Sequence, residues 1–246
     1  EEQENFFSLT QKEFKDLVEK VTISCSTDDS RPILKGCLFE VNQNLLTAVS
    51  LDGFRMSVVK KEVEASGEFK AVIPARTLNE IKNLLNKESE KITIFIQKNT
   101  LFAKIESTIV YSRLLEGEYV KYNHILPNNF ENIVTINKAM LLGSIERASI
   151  VAKNDRNNVI KFEIKEDIMC ISSRSEVGCV NENVNITLSG KDLVIAFNGK
   201  YISEYLKTIT EDFININLNS AIDPCVLTSV SNQDYLYLVL PVRING

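Results

Sequence analysis

Cys37-Leu38-Phe39-Glu40-Val41, followed by Leu45-Leu46-Thr47-Ala48-Val49-Ser50, returns further along the chain. Its second copy is Ile160-Lys161-Phe162-Glu163-Ile164 with Ile168-Met169-Cys170-Ile171-Ser172-Ser173, at an offset of 123 residues. Both copies alternate and are rich in branched side chains, the pattern of half-buried strands. Working outward, Ile73-Pro74-Ala75-Arg76-Thr77-Leu78-Asn79-Glu80 lies over Phe197-Asn198-Gly199-Lys200-Tyr201-Ile202-Ser203-Glu204 at an offset of 124. Val18-Glu19-Lys20-Val21 lies over Ile145-Glu146-Arg147-Ala148. Identity is low but the order is kept, and a repeat dictates architecture before any single motif does. The chain therefore reads as two copies of one unit, 1–127 and 128–246, joined near Pro127-Asn128-Asn129. A length of 246 residues suits two domains.

Each unit opens with a helix. Phe14, Leu17, Val18 and Val21 hold the i, i+3, i+4, i+7 spacing of one apolar face, and Leu141, Ile145 and Ala148 repeat it. Thr10 and Glu13 have the spacing of a capping box. Strands are expected at 33–41 and 45–49, and at 159–164 and 168–172. A second helix follows in each copy, on Leu78, Ile81 and Leu85 in the first and on Ile202, Tyr205, Leu206 and Ile209 in the second. Closing strands are expected at 92–96, 101–105 and 110–115, then at 214–218, 225–230 and 235–242. The fold class is α+β: two tandem repeated domains, each with two helices packed on antiparallel sheets.

Composition narrows the function. With 44% hydrophobic and 25% charged residues the chain is built to fold, and no apolar run reaches the roughly 20 residues of a membrane span. Its 28 Lys and Arg against 33 Asp and Glu give a net charge of −5, which argues against a plain nucleic-acid binder. Contact with DNA would need local placement of charge. The five cysteines, Cys25, Cys37, Cys170, Cys179 and Cys225, lack CxxC spacing, so buried free thiols in a reducing compartment are expected, with no metal. No phosphate-binding glycine loop and no HExxH is present, and no cofactor is expected. A catalytic triad would have to use His124, the only histidine, which lies at the join without a glycine-framed nucleophile. Glu40 and Glu163 occupy equivalent places, and a feature present in both copies reads as structural.

Two segments stand apart. Ser50-Leu51-Asp52-Gly53-Phe54-Arg55-Met56-Ser57-Val58 carries Asp-Gly between apolar strands, by itself an ordinary turn signal. Tyr235-Leu236-Tyr237-Leu238-Val239-Leu240-Pro241-Val242-Arg243-Ile244 reads as a closing strand, yet Pro241 removes a ladder donor and should stop or bend it. At these residues the sequence resembles the bacterial DNA polymerase III beta subunit, the replication sliding clamp. The resemblance rests on Arg31-Pro32-Ile33-Leu34-Lys35-Gly36, Asp52-Gly53-Phe54-Arg55-Met56, Phe197-Asn198-Gly199-Lys200-Tyr201 and the ending Leu238-Val239-Leu240-Pro241-Val242-Arg243. It extends over essentially the whole chain but over only the second and third of the family's three domains: a middle domain at 1–127 and a C-terminal domain at 128–246. The absent initiator Met agrees with a piece of a longer protein.

The resemblance implies a DNA-clamp fold and a non-enzymatic processivity factor of the bacterial cytoplasm, associated with the nucleoid. Such clamps are head-to-tail homodimers whose ring encloses duplex DNA without reading its sequence. The helices would turn Lys12, Lys15, Lys20, Arg76, Lys82, Arg147, Lys200 and Lys207 toward DNA, with Arg31 and Arg76 at matching family positions. The family also holds clamp-binding peptides of polymerase, clamp loader and repair proteins in a pocket between its second and third domains. Carried over, its walls are Leu34, Leu51, Gly53, Phe54, Arg55, Met56 and Ile125, with Asn198, Tyr201, Ile222, Pro224, Leu238, Val239, Leu240, Pro241, Val242 and Arg243. Val120, His124 and Arg156 depart from the family pattern at the rim. As the two-domain piece the chain is expected to be monomeric. A clamp-like peptide-binding adaptor that never encircles DNA is the alternative, and a small hydrolase of unidentified centre, tested by replacing His124, is a further one.

Overall fold

Thr10 ends one element and starts the next. It is the last residue of strand β1 (Asn5–Thr10) and the N-cap of helix α1 (Gln11–Thr22). Its hydroxyl accepts from the Glu13 N–H at 3.2 Å, and its own N–H donates to the Glu13 carboxylate at 3.1 Å. The capping box expected from the sequence is therefore complete, and two otherwise orphaned N–H groups are paired. One half of the device, a side-chain N-cap, recurs at Asn137, whose Oδ1 accepts from Met140 N at 3.1 Å at the start of α3 (Lys138–Ala152). Asn198 Oδ1 accepts from Lys200 N at 3.0 Å at the start of α4 (Gly199–Thr208).

The computed structural model describes residues 5–152, 158–176 and 178–243. The chain divides into two compact units, Glu1–Lys121 and Tyr122–Gly246. In the first, β1 and α1 are followed by β2 (Gly36–Asn42), β3 (Leu45–Leu51), β4 (Arg55–Glu62), β5 (Glu64–Ser66), β6 (Phe69–Pro74), α2 (Ala75–Leu84), β7 (Lys91–Gln97), β8 (Thr100–Ile105) and β9 (Thr108–Arg113). Strand order is β5-β1-β7-β8-β9 in one sheet and β4-β3-β2-β6 in the other. In the second unit β10 (Asn132–Asn137) precedes α3. Then come β11 (Val159–Lys165), β12 (Ile168–Ser175), β13 (Gly178–Ser189), β14 (Leu193–Asn198), α4, β15 (Phe213–Leu218), β16 (Cys225–Ser229) and β17 (Tyr235–Val239). Its strands run β14-β11-β12-β13-β10-β15-β16-β17, each neighbour antiparallel.

The two orders match once β13 is set against β4 and β5 together. In the second unit the twelve residues of β13 pair with β12 and then with β10. In the first the equivalent strand is interrupted at Val63, so β4 pairs with β3 and β5 with β1. Two helices on antiparallel strands in each unit is the α+β arrangement the sequence implies. The apolar residues expected on the helices, from Phe14, Leu17, Val18 and Val21 to Ile202, Tyr205, Leu206 and Ile209, are all buried.

Three expectations need correcting. The strand expected from residue 33 starts at Gly36, because Pro32–Lys35 forms a 3₁₀ turn opened by Pro32, whose ring fixes φ and suits a first helical position. The closing strand ends at Val239 rather than 242: Pro241 offers no N–H, and proline also restricts the residue before it. Cysteine burial is partial, for Cys37 and Cys225 are buried while Cys179 on β13 is exposed.

Tyr205 belongs to the core of the second unit, stacked on Tyr237 at 5.0 Å and tilted against Tyr235 at 5.2 Å. Its hydroxyl is buried without a hydrogen-bond partner among the described residues, and burial pushes the phenol well above its ordinary pKa. A buried donor left unpaired costs about 1–3 kcal/mol. Tyr205→Phe is thus expected to raise the unfolding free energy by about 1 kcal/mol or more, contrary to most core substitutions. A urea midpoint that falls for the phenylalanine variant would show that the hydroxyl is satisfied.

Candidate functional site

Asp52 organises the turn between β3 and β4. Its Oδ1 accepts from Phe54 N at 2.8 Å and Arg55 N at 3.0 Å, and its Oδ2 accepts from Arg55 Nε at 3.0 Å. Asp52 N donates in turn to Arg55 O at 3.2 Å. Gly53 takes φ +95° inside this ring of bonds, where a side chain is strained. The result is a rigid platform with Leu51 paired to Met56, both buried beneath it, and Phe54 projecting with 60% of its surface exposed. Leu34 is buried in the preceding 3₁₀ turn, and Val120 is exposed. The Asp-Gly-Phe-Arg string carries the signal for this ring, since a turn Asp readily accepts from N–H groups two and three residues on.

In the second unit the functional interest lies where β17 ends. Leu238 and Val239 are buried in the sheet, opposite Val226 and Cys225. The chain then leaves the ladder and is caught again by Val242 N, which donates to Ala196 O at 2.8 Å. Leu240, between these two anchors, is 37% exposed, with Pro241 and Val242 half-buried and Arg243 exposed. Tyr237 Oη donates to Tyr201 O at 3.0 Å, tying the strand to the first turn of α4 below the Asn198 cap. Ile222 is 68% exposed and Pro224 half-buried in the segment before β16. His124 ends a short 3₁₀ turn, Tyr122–His124, and is exposed, as is Ile125. Arg156 lies outside the described residues. Among the described residues no three His, Cys, Asp or Glu side chains are grouped to hold a metal ion.

The basic side chains expected on the helices are less free than their sequence suggests. Lys82 on α2 reaches Glu19 on α1 at 3.6 Å, and Lys207 on α4 reaches Glu146 on α3 at 2.9 Å, so the two units repeat a bridge between their helices. Lys200 lies 3.8 Å from Glu204. Arg147 is held most firmly, with Nε and Nη2 each 2.5 Å from the Glu182 carboxylate on β13. Ser144 also donates to that carboxylate at 2.8 Å. Arg31, Arg76 and Lys12 are exposed, whereas Lys15 and Lys20 are half-buried. Glu182 and Ser144 escape a reading of the sequence because the partner lies 35 residues from Arg147.

The Arg147 and Ser144 hydrogen bonds hold the Glu182 carboxyl below the usual 4.5. A carboxylate with a depressed folded pKa stabilises fully above its unfolded value and loses that contribution as pH falls through the folded one. The stability gap between the native chain and Glu182→Gln is accordingly expected to be largest near neutral pH and to close below 4.5. Thermal midpoints of both proteins across that range measure it; a gap that widens on acidification contradicts the assignment.

Two family models divide the chain between them. Residues 8–121 match the central domain, and 123–243 the C-terminal domain, of the DNA polymerase III beta subunit. The chain is 30% identical to the beta sliding clamp of Halalkalibacterium halodurans, covering 98% of this chain and 66% of that protein. It is 34% identical to that of Streptococcus pneumoniae, covering 96% and 64%. Among solved structures, a DNA polymerase sliding clamp from Bacillus subtilis superposes with a TM-score of 0.95 at 28% identity, over 100% of this chain and 66% of that one. The chain thus spans just under two thirds of the length of the curated relatives it matches.

Proposed function

The chain belongs to the DNA polymerase III beta subunit family, and from that membership we propose that it is the middle and C-terminal part of a replication processivity factor. In this reading it has no active site, and its work is to hold other proteins near DNA in the bacterial cytoplasm. As part of a full-length homodimeric ring it would surround duplex DNA, with contacts to phosphate alone. A net charge of −5 suits such a protein, because retention on DNA is topological and needs only local basic groups.

Partner capture falls to a peptide pocket walled by Leu34, Leu51, Gly53–Met56, Ile125, Asn198, Tyr201, Ile222, Pro224 and Leu238–Arg243, with Val120 and His124 at its rim. The observation that carries this reading is the exposed Leu240, suspended between the end of β17 and the Val242–Ala196 hydrogen bond. Apolar side chains held on fixed backbone, with few polar groups nearby, suit the leucine and aromatic anchors of a short peptide.

Titration of a labelled Gln-Leu-x-Leu-Phe-type peptide, followed by fluorescence anisotropy, tests it. Saturable binding is expected, and Leu240→Ala is expected to weaken it by about 1–3 kcal/mol, or roughly 5- to 150-fold. An unchanged dissociation constant would reduce the tail to the end of a strand. The ion pairs of Lys82, Arg147, Lys200 and Lys207 favour a second reading, an adaptor that binds peptides without encircling DNA. Salt decides between them: phosphate contacts release counterions, so DNA association of the full-length protein must fall steeply with ionic strength if the clamp reading holds.

A further inference from the structure

Cys25 and Cys37 are twelve residues apart in the chain, and their sulfurs lie 3.3 Å from each other. They sit at the neck of an excursion that leaves α1 and returns to β2. Cys25 N donates to Thr22 O at 3.2 Å, Ser26 N to Leu34 O at 2.9 Å, and Leu34 N to Arg31 O at 3.0 Å. The backbone is thus already closed on itself beside the two thiols. At the far end of the excursion Arg31 reaches toward the Asp52–Arg55 turn, where its Nη1 lies 3.8 Å from the position a Cβ on Gly53 would take.

We infer that Cys25 and Cys37 are an oxidisable dithiol, a modification site at which a peroxide forms an intramolecular disulfide that fastens the loop carrying Arg31. Two sulfurs at 3.3 Å need to approach by roughly 1 Å to reach the bonded distance of about 2.0 Å. A metal would require the opposite movement, because Zn–S bonds of about 2.3 Å at tetrahedral angles hold sulfurs roughly 3.8 Å apart. No third and fourth ligands are grouped with the pair among the described residues.

The two thiols are unequal. Cys37 is wholly buried, and burial pushes its pKa well above the usual thiol range, whereas Cys25 is half-exposed. Cys25 is therefore the sulfur that meets the oxidant. Its thiolate attacks hydrogen peroxide, forming an S–O bond as the O–O bond breaks, and the departing hydroxide leaves as water with the thiol proton. Cys37 sulfur then attacks the Cys25 sulfenic acid. The S–S bond forms, the S–O bond breaks, and the Cys37 proton leaves with that oxygen as a second water. Each sulfur gives up one electron, and the peroxide takes two.

The folded chain is treated with hydrogen peroxide, its remaining thiols are alkylated under denaturing conditions, and the tryptic digest is weighed without reduction. Peptides 21–35 and 36–55 are expected to appear joined, with the loss of two hydrogens, and to separate on adding dithiothreitol. Cys25→Ser should abolish the joined species and leave Cys37 alkylatable, whereas Cys179→Ser should leave it unchanged. Oxidation of Cys170 or Cys179 with peptides 21–35 and 36–55 unjoined would overturn the inference, as would a joined species formed only after unfolding in urea. Thiol content before treatment confirms that the starting protein is reduced.

Discussion

Replacing Phe14 with alanine is expected to lower the unfolding free energy of the first unit by about 3–5 kcal/mol, the cost of emptying a buried aromatic site. Phe14 has no exposed surface and lies on the face of α1 that packs against α2, β3 and β4. Those neighbours are a second helix and strands locked in a ladder, so little can collapse into the space left behind. Its counterpart in the second unit is Leu141, also wholly buried, on the first apolar turn of α3. Leu141→Ala is expected to cost about 2–5 kcal/mol on the transition of its own unit. Urea unfolding of both variants measures the pair. A loss below about 1 kcal/mol for Phe14→Ala would mean that α1 contributes little to the core.

How much of this could be read from the chain alone differs from element to element. Helix starts are chemically local: Thr10 and Glu13 satisfy each other within one turn, so the string of letters already contains the bond. The repeat is legible because β2 and β3 start at the same spacing as β11 and β12, and it slips by one residue on reaching α2 and α4. The opening strands of the two units, β1 and β10, are harder to see. They are short and flow straight into helices whose periodicity dominates the window.

Ser144 shows a different failure. It is buried at the α3 position equivalent to Leu17 on α1, because its hydroxyl donates to Glu182, a partner no local spacing reveals. The partner of Arg147 is hidden for the same reason: in space the guanidinium is a bidentate partner of a strand carboxylate. The Asp52 turn and the Pro241 break lie at the legible end, since one follows from what a single carboxylate accepts and the other from the N–H that proline lacks. Whether these segments meet a partner is a matter of side chains left exposed, and exposure is not local information.

Gly190→Ala is expected to be the other costly change, at about 2–5 kcal/mol, from two separate effects. Gly190 links β13 to β14 with φ +138°, a conformation that L side chains rarely adopt. An added Cβ would also collide with Asn132 Oδ1, lie 2.7 Å from the carbonyl oxygen of Glu131, and lie 2.9 Å from Asn132 Cα. Two of those three are backbone atoms, which cannot rotate away. The third belongs to a buried side chain in use: Asn132 Oδ1 accepts from Lys191 N at 2.6 Å, and Nδ2 donates to Asn219 O at 3.2 Å. Moving Asn132 would leave buried polar groups unpaired. Gly53→Ala separates the two effects, because its φ is +95° but among the described residues the only atom near a Cβ is Arg31 Nη1 at 3.8 Å. It is expected to cost only the backbone strain, about 1–2 kcal/mol. Equal losses for the two variants would show that conformation alone sets the penalty. A larger loss at Gly190 would place the difference in the Asn132 contacts, at the head of the strand whose Ala196 carbonyl holds Val242 and, with it, the exposed Leu240.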